Sequence, residues 1–224
     1  MAEPRRAEFG AELRRELTDD QVRAAQEWHD GDTPAAALAE VRALQSEARK
    51  RVYGACLPDR YRDASYGDLD AAEQAREQIR GWLSTSSQTL MLVGPPGTGK
   101  THAGYAVLND VVASGGWAYG CSTFDLFSAL RPDARPSAAP RMAVQADVFL
   151  FDDLAAERST DWVVEQFGGI VDDRYSSRRR QIVTTNAAYE DLETKYGQRT
   201  MSRLMEGVTV AQFTCRDRRR EVRW

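Results

Sequence analysis

Long apolar runs are missing from this sequence. Runs such as Val148-Phe149-Leu150-Phe151 fall far short of the ~20 residues needed to cross a bilayer. The opening MAEPRRAEFG contains no apolar segment of a signal peptide. The expectation is a cytoplasmic protein without membrane contact. Cysteine is scarce. Cys56, Cys121 and Cys215 are scattered and form no CxxC pair, which argues against a disulfide framework or a zinc site. They read instead as small buried hydrophobes in a reducing compartment. A basic excess is also lacking: 30 Lys and Arg stand against 34 Asp and Glu, so no global field attracts nucleic acid. Lysine itself is nearly absent, with only Lys50, Lys100 and Lys195, which reads as codon usage rather than function. There are no internal repeats.

What is present is an ordinary globular composition, 42% apolar and 29% charged over 224 residues. A chain of that length buries roughly 70% of its unfolded surface, enough for a substantial core. Positive charge is local. Residues 201–224 carry six Arg against three acids, and residues 127–145 carry Arg131, Arg135 and Arg141 against Asp133 alone. Residues 1–57 read as helical. Thr18-Asp19-Asp20-Gln21 has capping-box spacing, and Thr33-Pro34 matches an N-cap followed by Pro at the first helical position. Leu38, Val41, Leu44, Ala48 and Val52 recur at helical spacing, with Gly54 placed to end that helix. The polar, turn-rich stretch Pro58–Gly67 reads as a linker, Asp70–Leu83 as a helix and Ser84–Ser87 as a loop.

From Thr89 onward, short apolar runs alternate with amphipathic ones. The runs at Thr89–Val93, Trp117–Cys121, Val148–Phe151 and Ile182–Thr185 read as strands. Those at Lys100–Ser114, Phe124–Leu130 and Asp161–Tyr175 read as helices. Such alternation predicts an α/β fold, a parallel sheet with helices on its faces. Arg131–Pro140 contains three prolines and is expected to be a loop.

Gly94-Pro95-Pro96-Gly97-Thr98-Gly99-Lys100-Thr101 satisfies G-x-x-x-x-G-K-[ST] between an apolar strand and a helix. In that setting the glycines turn backbone N–H groups toward phosphate oxygens, and the helix N-terminus favours the anion. Lys100 reaches the β- and γ-phosphates, and the Thr101 hydroxyl ligates Mg²⁺. About 50 residues later the run VFLF ends in Asp152-Asp153. In a parallel sheet that end faces the phosphate loop. Asp152 is then a candidate for holding Mg²⁺. Asp153 is a candidate for orienting the attacking water, or alternatively a helix N-cap. Asn186, closing the strand at Thr184-Thr185-Asn186, is either a turn residue or a holder of that water. Arg199 and Arg203 lie four apart and share a helix face, either solvated or, in a ring or spiral, directed at a neighbour's nucleotide. The dense run Arg216, Arg218, Arg219, Arg220 and Arg223 is a solvated tail, a DNA contact or a sensor of the γ-phosphate.

Together, GPPGTGKTH (94–102), VFLFDDLAAE (148–157), DDRYSSRRRQIVTTN (172–186) and GQRTMSRLMEG (197–207) resemble the AAA+ ATPases. The closer resemblance is to their DnaC/IstB branch of helicase loaders and transposition-helper ATPases, and it covers most of the chain. The resemblance implies Walker A at Gly94–Thr101, with His102 completing the GKTH start, and Walker B at Asp152 and Asp153. It implies sensor 1 at Asn186, an arginine finger at Arg203 with Arg199 one turn earlier, and sensor 2 at Arg219. It further implies an αβα sandwich with a five-stranded parallel sheet, the last strand lying at Val208–Thr214. No substantial C-terminal lid is expected, because ten residues follow Thr214. A helical module at 1–57 would precede an AAA+ domain at 58–224. The expected cofactors are ATP and Mg²⁺.

Two departures stand out. Asp153 occupies a position where many AAA+ proteins have Glu, which is compatible with slow hydrolysis. The segment between Leu130 and Asp147 is short and Pro-rich where this group tends to be helical and to face single-stranded DNA. The leading expectation is a loader that grips a DnaB-type replicative helicase through residues 1–57, self-associates into a ring or spiral and delivers the helicase onto single-stranded DNA. One alternative is a transposition helper on duplex DNA. Another is a nucleotide-switched scaffold with little turnover.

Overall fold

The computed structural model describes residues 34–69, 71–156 and 160–214. The capping box at Thr18, together with Thr33, Cys215 and the arginine run from Arg216 to Arg223, lies outside them. The chain divides into two compact units, residues 1–51 and 52–224. The division falls inside helix α1 (Pro34–Cys56), which runs two residues beyond Gly54. Gly54 therefore does not end it: one glycine costs a helix only about 1 kcal/mol and does not by itself stop it. In the first unit α1 carries an exposed Leu44 and a Glu47–Lys50 ion pair at 3.1 Å. Among the described residues no helix is long and apolar enough to cross a membrane.

The second unit is built on five strands: β1 (Thr89–Val93), β2 (Ala118–Ser122), β3 (Val148–Leu154), β4 (Arg180–Thr185) and β5 (Thr209–Gln212). All pair in parallel, in the order β2-β3-β4-β1-β5. Parallel pairing forces long crossovers, so helices cover both faces and the strands are apolar on both sides. The pleat sorts the side chains. Leu90, Leu92, Leu150 and Ile182 face one core, with α2 (Glu73–Trp82) and α3 (Lys100–Ala113). Met91, Phe149, Phe151 and Val183 face the other. That second core also takes in α4 (Thr123–Ala129), α5 (Ala139–Gln145), α6 (Asp161–Ser176), α7 (Tyr189–Tyr196) and α8 (Gln198–Met205). The αβα sandwich and its five-stranded parallel sheet are thus as the sequence implied.

Three local details differ from the sequence reading. Helix α2 starts at Glu73, not Asp70. The expected loop Arg131–Pro140 ends early, because α5 begins at Ala139 with Pro140 in its first turn. Proline is tolerated there since the first N–H groups of a helix have no intrahelical acceptor. The stretch Pro58–Gly67 is held against α3. Short 3₁₀ turns at Asp59–Tyr61 and Tyr66–Asp68 shape it. The Asn109 amide donates to the carbonyls of Tyr61 (3.2 Å), Arg62 (3.4 Å) and Ala64 (2.9 Å), and Tyr53 donates to Asn109 Oδ1 at 2.6 Å. Tyr61 stacks on Tyr105 at 4.7 Å between ring centroids.

Arg174 on α6 is fully buried. Its guanidinium donates to the carbonyls of Ala143 (2.9 Å), Ala146 (3.1 Å) and Arg180 and lies over the Phe149 ring. It therefore ties the end of α5 to the start of β4. Burial, reinforced by the nearby Arg179 and opposed by Asp147, pulls it below the usual arginine range.

Candidate nucleotide site

The strand order places β4 between β3 and β1, so the acidic end of β3 and the glycine loop after β1 flank the end of β4. Within the loop, Gly94, Gly97 and Gly99 all have positive φ. At Gly94 (φ 147°) a Cβ would lie 2.2 Å from the Phe213 carbonyl oxygen, so only glycine lets the loop leave β1 this close to the chain after β5. Thr98 donates to the Pro95 carbonyl at 2.9 Å, fixing the turn. Lys100 is almost wholly buried and donates to the carbonyls of Gly94 (2.8 Å) and Pro95 (2.7 Å). Its ammonium is thus stationed inside the loop at the N-terminus of α3, where positive charge and helix dipole together favour a phosphate group. His102, two residues beyond Lys100, presents its ring edge-on to Tyr61 at 6.5 Å between centroids.

The two acids sit in an irregularity. Pairing of β3 with β4 runs from Val148↔Arg180 to Phe151↔Val183 and resumes at Leu154↔Thr185, with a register shift between. Such a bulge re-aims the residues it contains. Asp153 falls in it with φ 59°, a left-handed conformation that Asp tolerates better than most residues. Asp153 is exposed and caps no helix, since the N-cap of α6 is Thr160. Three threonines hold the bulge. Thr184 accepts from the Asp153 N–H at 2.8 Å and donates to Asp152 Oδ1 at 2.7 Å. Thr123 donates to the Asp153 carbonyl at 3.1 Å and Thr185 to the Leu154 carbonyl at 2.8 Å.

Thr101 donates to the same Asp152 oxygen at 2.8 Å. This contact joins the phosphate loop to the acidic strand end. Burial raises the Asp152 carboxyl above its ordinary range, against the lowering effect of the Thr184 and Thr101 hydroxyls and of Lys100. A hydroxyl that donates to a carboxylate keeps its lone pairs for a hard cation, so the Thr101 and Asp152 donor set fits Mg²⁺. Asn186 follows Thr185, which pairs with Val93, so it stands exposed at the level where the loop begins.

The family model described as "IstB-like ATP binding protein" matches residues 66–209. The chain belongs to that family. It is also 25% identical over 157 residues to the "Replicative helicase loader DnaC" of Escherichia coli (strain K12), covering 68% of this chain and 64% of that protein. It therefore spans somewhat less than two thirds of that curated relative. Among solved structures, the DnaC helicase loader aligns with TM-score 0.62 and 25% identity, covering 70% of this chain and 100% of that one. The DnaI structure aligns with TM-score 0.62 at 22% identity, over 72% of this chain and 94% of that one, and shares the fold. This IstB-like protein thus has the α/β AAA+ fold of the DnaC type, and nucleotide binding is the property of its family.

The arginines lie elsewhere in the unit. Arg203 on α8 forms an ion pair with Asp172 of α6, and its guanidinium lies over the Tyr175 ring, 5.6 Å from the centroid. Arg199 reaches the other oxygen of Asp172 at 3.4 Å and is largely exposed. Arg219 lies outside the described residues. Sequence reasoning gave no role to Thr184, Asp172 or Tyr175. The available signal for all three was their place in the stretch DDRYSSRRRQIVTTN (172–186), with a pair of hydroxyls ending β4.

Proposed function

We propose that this protein is an ATP-dependent loader of a replicative helicase. The observation that carries the reading is the similarity to a DnaC helicase loader in both sequence and structure, on a chain whose phosphate loop and acidic strand end are joined through Thr101 and Asp152. On this reading Lys100 exchanges its two loop carbonyls for phosphate oxygens. Thr101 and Asp152 hold Mg²⁺, which neutralises phosphate charge when bound. Asp153, aimed outward by the bulge, orients the attacking water, and Asn186 holds it from the end of β4. Arg203, with Arg199 beside it, acts on the nucleotide of a neighbouring protomer in a ring or spiral. Residues 1–57 form the module that grips a DnaB-type helicase, and 58–224 the ATPase domain, which delivers the helicase onto single-stranded DNA. Hydrolysis drives release. An exposed Phe124 at the start of α4, with Arg131, Arg135 and Arg141 exposed after it, supports a nucleic-acid face there.

The test is a mass measurement in solution of this chain mixed with the replicative helicase of its host, with ATP and with ADP. A stable complex favoured by ATP and lost on removing residues 1–51, which leaves Tyr53 in place on Asn109, is expected. No complex in either state refutes the loader reading. Preference for duplex over single-stranded DNA would then identify a transposition helper.

A further inference from the structure

Of the two ion pairs that join α6 and α8, the one made by Arg199 is largely exposed and contributes little to stability, while the one made by Arg203 is partly buried. Asp172 and Tyr175 lie three residues apart on α6, and Arg199 and Arg203 four apart on α8, so each pair shares a helix face. Both Asp172 oxygens are used, one by each arginine. Tyr175 lies under the Arg203 guanidinium, and its hydroxyl donates to Glu206 Oε2 at 2.6 Å, which fixes the ring. Arg203 is thus paired through Nη1 with a carboxylate, a charge contact rather than a formed hydrogen bond, and covered on one face by an aromatic ring. No acceptor among the described residues takes its Nη2 or Nε. A free arginine side chain samples many rotamers, and one paired and covered in this way has lost that freedom before its target arrives.

We propose that Asp172 is the positioning residue of the trans-acting arginine. It holds Arg203, with Arg199 as companion, in the orientation that meets the phosphates of a neighbouring copy's nucleotide. This rests on the reading above, in which a second copy supplies Arg203.

The experiment measures ATP turnover by the full-length chain with single-stranded DNA, for Asp172→Asn, Arg203→Ala and Lys100→Ala, singly and mixed. Asp172→Asn is expected to lower kcat by about 10- to 100-fold with KM and affinity for a fluorescent ATP analogue within about twofold, because the variant's own site is intact. Intact analogue affinity also shows that the variant is folded. Mixing separates the roles. Lys100→Ala protomers cannot bind ATP but carry a properly held Arg203, so they should restore turnover to Asp172→Asn protomers and equally to Arg203→Ala protomers. Asp172→Asn mixed with Arg203→Ala should regain nothing, because neither supplies a working arginine.

Wild-type turnover by Asp172→Asn beside an impaired Arg203→Ala overturns the positioning role and leaves the arginine assignment standing. An impaired Asp172→Asn that Lys100→Ala does not restore, while Arg203→Ala is restored, shows Asp172 acting on its own protomer and also overturns it. Wild-type turnover by Arg203→Ala overturns the reading beneath the proposal.

Discussion

Thr184→Val removes one hydroxyl from the end of β4 and keeps the side chain's shape. Two hydrogen bonds go with it: the 2.7 Å donation to Asp152 and the 2.8 Å acceptance from the Asp153 N–H. A bond to an ionised carboxylate is worth about 1.5–3 kcal/mol, and an amide left unpaired costs about 1–3 kcal/mol. Asp153 is exposed and Asp152 only half-buried, so water replaces part of both. The expected loss is therefore toward the lower end, about 2–3 kcal/mol, which moves a urea midpoint down by roughly 1 M. A second readout is the pH profile. Burial raises Asp152 and the Thr184 hydroxyl opposes that rise, so its removal lets the carboxyl rise further. Only ionised Asp152 serves as a cation ligand, so activity falls as pH drops through its titration. The acid limb of kcat/KM for Mg·ATP, which reports the free enzyme, should lie at higher pH in Thr184→Val. Thr184→Ser keeps the hydroxyl and should return the limb to its wild-type position. An unmoved midpoint together with an unmoved acid limb would refute the argument that Thr184 organises the two acids.

Gly94→Ala drives a Cβ against the Phe213 carbonyl at a positive φ, so it should lower thermal stability by several degrees or leave no folded protein, read by circular dichroism. Lys100→Ala should abolish binding of a fluorescent ATP analogue while the melting transition persists; unchanged affinity would undo the phosphate-loop assignment. Arg174→Met strands the carbonyls of Ala143, Ala146 and Arg180 and should cost about 3–5 kcal/mol in chemical denaturation. Asn109→Ala should leave the sheet intact but speed amide hydrogen exchange at Tyr61, Arg62 and Ala64 by about tenfold or more, since the clamp on that segment is lost.

The legibility of this protein follows the range of the interactions involved. Strand β1 coincides with the expected Thr89–Val93 because an apolar run between a polar loop and a glycine loop is a local signal. The phosphate loop was equally readable, since eight consecutive residues carry its backbone geometry and its cation. Asp152 and Asp153 were found from their place at the end of a buried run. The helix beginning at Ala139 is not legible from the three prolines of Arg131–Pro140, because a proline in the first turn of a helix starts it rather than breaking it. Helix α7 gave only a weak local signal, with Leu192 and Tyr196 as its buried residues.

What the sequence by itself determined was the α/β class, the phosphate loop and the acidic strand end. Each depends on residues adjacent in the chain, whose backbone preferences and apolar spacing act over a few positions. The tertiary structure alone decided the bulge that turns Asp153 outward, the sharing of one Asp152 oxygen by Thr101 and Thr184, and the clasp of Asp172 and Tyr175 on Arg203. Those partners lie 28 to 51 residues apart. They meet because the strand order sets β4 between β3 and β1 and because α8 packs on α6. A side-chain hydrogen bond or ion pair reaches only about 3 Å, so it exists only once packing has fixed both backbones.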